Sequence, residues 1–172
     1  MKATAVAPSN IAFIKYWGKK NKRLRLPTNG SISMNLSNLQ TTTTVEFSPR
    51  FKNDEVIIDG EKDINKTDRV IKHLDRIRKI ANLNDRAKVV SKNNFPSDTG
   101  LSSSASAFAA LTLAGISAAG INMSKKELSI LARQGSGSAC RSIPDGFVEW
   151  LDGETSDTSY AVSLYPPDYW HI

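Results

Sequence analysis

Apolar residues in the first half of the chain recur in short, often β-branched runs at 3–7, 11–17, 31–37, 41–47 and 56–59, separated by clusters of Pro, Gly, Asn and Lys. β-branched side chains fit a pleated surface, so each run predicts a strand. The polar, basic segment GKKNKRLRLP at 18–27 predicts a loop between two of them. The period then changes. With Thr67 as a cap, Val70, Ile71, Leu74, Ile77 and Ile80 fall at helical spacing and predict one face in the core. Residues 87–90 return as a strand, and an Ala-rich stretch predicts a helix over 101–119. Ser124-Lys125-Lys126-Glu127 matches a capping box, which starts a further helix through Leu128, Leu131 and Ala132. Runs at 146–151 and 160–165 read as a closing pair of strands around a polar loop at 152–155. Strands first and a mixed βα pattern afterwards predict an α+β domain, with helices covering a mostly antiparallel sheet.

Composition narrows the partners. A chain of 172 residues with 40% hydrophobic content suits one domain with an ample core. The formal charge of +6 favours anionic partners: nucleotides, phosphorylated metabolites, nucleic acid or an acidic membrane surface. The single cysteine, Cys140, excludes an intrachain disulfide framework, and no apolar run is long enough to span a bilayer or serve as a secretory segment. A cytoplasmic protein without a membrane partner is expected. Only His73 and His171 are available as imidazoles, so a His-based metal site or a Ser-His-Asp triad is hard to assemble.

The most informative stretch is PSDTGLSSSASA at 96–107, a Gly/Ser turn that runs straight into the Ala-rich helix. Amides in the first turn of a helix have no intrahelical acceptors, and they point with the positive end of the helix dipole at whatever lies in front. A phosphate fits such a turn, whereas a serine cap on an ordinary buried helix is the plainer reading. Two further polar segments sit where a core does not need them, at 8–19 and 133–143.

Taken in order and spacing, NIAFIKYWGK at 10–19, Pro96 through Ala105, and GSGSACRS at 135–142 resemble the diphosphomevalonate decarboxylase branch of the GHMP kinase superfamily. The resemblance runs over the whole chain but only to the N-terminal half of a family member. It implies the GHMP-kinase N-terminal lobe, a fold also seen in a ribosomal protein. It also implies ATP and magnesium as cofactors, and ATP-dependent decarboxylation of mevalonate 5-diphosphate to isopentenyl diphosphate. In that reading Gly100, Leu101, Ser102, Ser103, Ser104 and Ala105 form the nucleotide loop, with Ser104 the magnesium contact. Tyr16 and Lys19 bind the substrate diphosphate, Ser136 and Ser138 line the substrate, and Arg141 holds its carboxylate, oriented by Asn10. Plainer readings stand beside these: a solvated basic loop for Lys19, core or strand-face aromatics for Tyr16 and Trp17, a flexible turn for Ser136 and Ser138, and a surface salt bridge for Arg141. Cys140 reads as a small packing residue.

The family's catalytic aspartate belongs to its C-terminal half, and the sequence stops before it. A truncated product, a proteolytic fragment or half of a split enzyme is expected, with apolar surface left for the missing lobe and a homodimer for the complete enzyme. Asp98 and Asp145 stand where small residues are usual; each reads as a cap or turn carboxylate, and Asp145 is near enough in sequence to pair with Arg141. The competing activities are a phosphomevalonate decarboxylase or a mevalonate 3-kinase. A nucleic-acid-binding module gripping phosphates through Lys19, Lys20, Lys22, Arg23 and Arg25 is the disfavoured alternative from another class.

Overall fold

The structure, a computed structural model, describes residues 1–62, 64–96 and 103–169, with Asn65 described by its backbone alone. In chain order the elements are β1 (Lys2–Ile14), β2 (Lys19–Asn21), β3 (Leu26–Pro27), β4 (Ser31–Ser48), β5 (Glu55–Ile58), α1 (Ile64–Ala81), β6 (Arg86–Asn93), α2 (Ser103–Ala118), α3 (Lys125–Gly135), a 3-10 turn (Gly137–Ser142), β7 (Phe147–Trp150) and β8 (Ala161–Tyr165). The expected α+β architecture is present. β4 pairs with β1 along one edge, and on its other edge with β7 near its start and β6 near its end. Only β5 and β6 run parallel among the described pairs.

Several sequence expectations need correction. The two runs at 31–37 and 41–47 are one strand, β4, interrupted by a bulge: Pro8 faces Gln40 but Ser9 faces Leu36, so Ser37, Asn38 and Leu39 are looped out. Proline brings no N–H to a ladder, which makes Pro8 a natural place for the break. The bulge shifts the facing of β1 so that Ser9 and Asn10 are both buried. It also grips the segment that follows β6, since Asn94 Oδ1 accepts from Gln40 N at 2.7 Å and Asn94 Nδ2 donates to Asn38 O at 3.0 Å. The basic loop at 18–27 contains the short β2–β3 hairpin, and the 11–17 run leaves the sheet after Ile14. Thr67 lies inside α1, which starts at Ile64, and Ile80 is 45% exposed because α1 ends against solvent rather than on the core.

The central layer is α2, apolar on nearly every side and packed on β1 and β4. A helix of that composition must be covered all round. Ala105, Ala109 and Ala110 are fully buried in it, and Leu74 and Ile77 of α1 close the same core with Val45, Phe47 and Val89 of the sheet. The capping box at α3 forms as read: Ser124 Oγ accepts from Glu127 N at 3.3 Å, while Glu127 Oε2 accepts from Ser124 N at 2.8 Å. The Ser124 hydroxyl, donating to Glu127 Oε2 at 2.7 Å, and after it the Ser124 backbone N–H hold the Glu127 carboxyl below its ordinary pKa.

Candidate active site

The three motif segments meet. Ser104, on the first turn of α2, lies with its Oγ 3.2 Å from Ser136 Oγ at the end of α3. Ser136 opens the 3-10 turn that carries Arg141, and Asn10 of β1 ties that turn down: Nδ2 donates to Ser138 O at 3.1 Å and to Ser142 Oγ at 2.8 Å. Asn10 Oδ1 accepts from Arg141 Nη2 at 3.1 Å. Both amide hydrogens and the carbonyl of Asn10 are therefore engaged with protein, which makes it a positioning residue.

Arg141 is 3% exposed, so it is not a surface ion pair. Its Nε donates to Ser33 Oγ at 3.1 Å and its Nη1 to Ser31 Oγ at 2.8 Å. The guanidinium also sits 5.9 Å from the Tyr16 ring and 5.8 Å from the Trp150 ring, within cation–π range. Of five N–H donors, three are used; one on each Nη has no acceptor among the described residues. No described carboxylate pairs with it, and burial lowers its pKa, with Cys140 and Tyr16 opposing. A buried cation held by neutral groups gains strongly from an arriving anion, and two N–H groups on adjacent nitrogens match a carboxylate. The expected Asp145 pairing does not form: Asp145 is exposed and meets Lys125 Nζ at 3.1 Å, so its solvated-turn reading holds.

Tyr16 packs edge-on against Trp150 with ring centroids 4.6 Å apart. Burial raises its pKa, so it stays a neutral phenol. Its hydroxyl lies over Gly137, where an added Cβ would sit 2.6 Å from the oxygen. Gly135 is equally tight: a Cβ there would collide with Phe108 and approach His73 Nδ1 to 2.9 Å. The Gly-Ser-Gly-Ser stretch is thus a packed surface rather than a flexible turn. Trp17 is 76% exposed, and Lys19 lies at the surface of β2. Cys140 is buried with Sγ donating to Gly137 O at 3.0 Å; burial pushes its thiol up to about 12, which leaves it protonated and inert. Ser103, Ser104 and Ala105 open α2, whereas Gly100, Leu101, Ser102 and Asp98 lie outside the described residues.

Beside the serines is a cavity of about 120 Å³ lined by Lys66, Arg69, Asn93, Ser103, Ser104 and Phe108. A larger groove of about 660 Å³ runs across Val6, Pro8, Met34, Leu36, Leu39 and Phe147. That groove contains none of Ser104, Ser136 or Arg141, so chemistry rather than size locates the site. Among the described residues no three carboxylate, imidazole or thiol groups cluster as a metal centre. Magnesium, which keeps water and borrows phosphate oxygens, would take its protein contact here from a hydroxyl, and Ser104 fits.

Sequence reasoning gave no role to Arg69, which lines the small cavity from α1, or to Arg133. Arg133 is fully buried and donates to Leu24 O at 3.1 Å, Ser156 O at 3.1 Å, Ser156 Oγ at 2.8 Å and Ser159 O. It binds α3 to the β2–β3 hairpin and to the loop before β8. A polar segment entering a buried helix end was the only signal.

A buried helix opened by Ser103 and Ser104, packed on a mostly antiparallel sheet, is the architecture of the GHMP kinase N-terminal lobe seen in solved mevalonate diphosphate decarboxylases. Residues 7–161 match the diphosphomevalonate decarboxylase-like N-terminal domain, and the chain belongs to that family. It is 42% identical to the diphosphomevalonate decarboxylase of Ganoderma lucidum over 98% of this chain and 46% of that one. Identity to the Saccharomyces cerevisiae enzyme is 40%, again over 98% of this chain and 46% of that one. The mevalonate diphosphate decarboxylase from Enterococcus faecalis superposes with a TM-score of 0.92 at 44% identity, covering 96% of this chain and 52% of that chain. A related structure in complex with MVAPP, AMPPCP and magnesium gives 0.91 at 44% identity, covering 96% and 51%. The chain spans about half the length of the curated relatives it matches.

Proposed function

We propose that residues 1–172 form the ATP- and substrate-binding domain of an ATP-dependent mevalonate 5-diphosphate decarboxylase. The contact between Ser104 and Ser136, 3.2 Å apart, carries the reading, because it joins the nucleotide turn to the segment that holds Arg141. In this reading the first turn of α2 and the Ser103 and Ser104 hydroxyls hold the ATP phosphates beside the Lys66–Arg69 cavity. When bound, magnesium would offset the triphosphate charge, with Ser104 as its protein contact. Tyr16 and Lys19 take the substrate diphosphate, Ser136 and Ser138 line the substrate, and the two unused N–H groups of Arg141 grip its carboxylate. The γ-phosphoryl group passes to the tertiary hydroxyl; phosphate then leaves with its bonding pair as the carbon–carboxylate bond breaks, the pair from that bond forming the alkene and releasing carbon dioxide. Holding the carboxylate fixes the breaking bond against the leaving phosphate. The family's aspartate belongs to the part of its length that this chain does not span.

Arg141 favours decarboxylation over a mevalonate 3-kinase, since a carboxylate clamp contributes most where the adjacent bond breaks. The nucleic-acid reading loses support because Lys20 is neutralised by Glu154 at 2.8 Å and Arg25 is bound to Gln134 O. No described helix is long and apolar enough to cross a membrane. A cytoplasmic setting agrees with the buried, unpaired Cys140. A homodimer of the complete enzyme agrees with exposed apolar side chains such as Ile11 and Phe13. The test is calorimetric titration of the chain with AMPPCP and magnesium: saturable one-to-one binding is expected, and no binding would end the ATP-dependent reading. In the enzyme completed by its second lobe, ADP released without equimolar carbon dioxide would replace the decarboxylase with a 3-kinase.

A further inference from the structure

Between β1 and β2 the chain has no ladder of its own. Lys15, Tyr16, Trp17 and Gly18 belong to no strand or helix, and among the described residues no bond between main-chain groups holds them. Yet this run carries Tyr16, whose ring is fixed edge-on against Trp150 and whose hydroxyl lies over Gly137. An irregular run loses conformational entropy when one of its rings is held in one place, so something must hold it.

The restraint comes from two side chains at the entry to β4. Asn29 Oδ1 accepts from Trp17 N at 3.2 Å, while Asn29 Nδ2 donates to Lys15 O at 3.2 Å and to Gly30 O at 2.7 Å. Thr28 Oγ1 donates to Trp17 O. The Lys15 carbonyl belongs to the peptide group before Tyr16, and the Trp17 N–H to the peptide group after it. One side-chain amide therefore brackets Tyr16 on both sides, and its carbonyl and both of its hydrogens are used in doing so. Asn29 is exposed, where water could serve each of those atoms, so burial does not explain why all of them go to main chain.

The other end of the bracket is the site. Two residues after Asn29, Ser31 Oγ accepts from Arg141 Nη1, and beyond it Ser33 Oγ accepts from Arg141 Nε. Gly30 lies against Trp150, where an added Cβ would stand 3.1 Å from the carbonyl oxygen. The strand that seats Arg141 is thus the one whose entry pins Tyr16, and the guanidinium stands 5.9 Å from the Tyr16 ring.

We propose that Asn29 is a positioning residue that holds the Tyr16 phenol over the 3-10 turn carrying Arg141, where one phosphorylated acid can touch both. The inference rests on the reading of Tyr16 as a diphosphate contact, and it deepens that reading by naming what aims the phenol. A hydroxyl gives its hydrogen in one direction, so a main-chain shift of about 1 Å is enough to lose the bond to an anion.

The experiment is calorimetric titration of the chain with inorganic pyrophosphate at about 50 mM salt, with near-UV circular dichroism beside it. N29A is expected to weaken pyrophosphate about tenfold, as Y16F does, and the N29A Y16F double variant to bind within about twofold of Y16F. N29A should also lose most of the near-UV signal of the Tyr16–Trp150 pair, defined by the difference from Y16L, while AMPPCP and magnesium binding stays within about twofold. N29S, which keeps one polar atom of the amide, should fall between N29A and the unmodified chain, and it replaces N29A should that variant not fold. Losses that add in the double variant, an unchanged Tyr16–Trp150 signal in N29A, or equal weakening of pyrophosphate and nucleotide overturns the proposal. Pyrophosphate bound equally by the unmodified chain and Y16F ends the assignment of Tyr16 to the diphosphate; the circular dichroism of N29A then decides whether Asn29 places Tyr16.

Discussion

Arg133 and Arg141 lie eight positions apart, both buried and both without a carboxylate partner among the described residues, yet they serve opposite ends. Arg133 fills four of its five donors, three of them on main-chain carbonyls of two separate loops. Arg141 fills three, on two serine hydroxyls and one amide, and keeps one N–H on each terminal nitrogen without an acceptor among the described residues. Hydroxyls and amides can be shared with a ligand, whereas carbonyls of a folded loop are consumed by structure. Burial alone therefore does not distinguish a rivet from a clamp; the nature of the acceptors and the donors left over do.

The sharpest break in that comparison is R141Q in the enzyme completed by its second lobe. Turnover should fall about a thousandfold, about 4 kcal/mol of transition-state stabilisation, with a stability change near 1 kcal/mol. A melting temperature that collapses in step with activity would make Arg141 structural. R133Q should do the reverse, lowering unfolding free energy by about 3 kcal/mol in urea because several buried carbonyls lose their donor. Wild-type stability in R133Q would show that the hairpin does not depend on it.

A third expectation concerns pH. Thr112 Oγ1 donates to Phe108 O at 2.6 Å, so at the 2.8 Å contact His73 Nε2 must be the donor, which leaves Nδ1 buried and unpartnered against Gly135. Burial, with Arg76 and Arg25 adding to it, drops the His73 pKa to about 3 from 6.5. The unfolded chain then binds the extra proton between those values, so stability is full above pH 6.5 and falls as pH drops toward 3. Between pH 7 and pH 5 the loss from this group should be about 2 kcal/mol, and urea curves of H73Q should lack that slope. The smallest effect falls on the nucleotide side: S104A should weaken AMPPCP and magnesium binding about tenfold, about 1.4 kcal/mol. Unchanged calorimetry would remove Ser104 from the site.

Much of this was legible in the chain. Helical spacing at Val70, Leu74 and Ile77, the Ser124–Glu127 capping box and the Ala-rich α2 each depend on residues close in sequence, and local periodicity reports them directly. The bulge at Pro8, the continuity of β4 and the β2–β3 hairpin were not legible, because strand pairing is a relation between distant segments. The same limit explains Asp145: four positions from Arg141 is contact distance on a helix, but the 3-10 turn ends between them and sends the carboxylate to Lys125.

The sequence by itself determined which residue types this protein has for handling phosphate and carboxylate groups, since the motifs around Asn10, Ser104 and Arg141 are contiguous strings whose local conformations follow from Gly, Pro, Ser and Ala. Tertiary structure alone decided that Ser104 would lie against Ser136, that Arg133 would be consumed by carbonyls while Arg141 kept donors in reserve, and that Arg25 would turn onto the Gln134 carbonyl. Those outcomes depend on the sum of burial and hydrogen bonding across segments more than a hundred residues apart in several cases, and no local pattern encodes that sum.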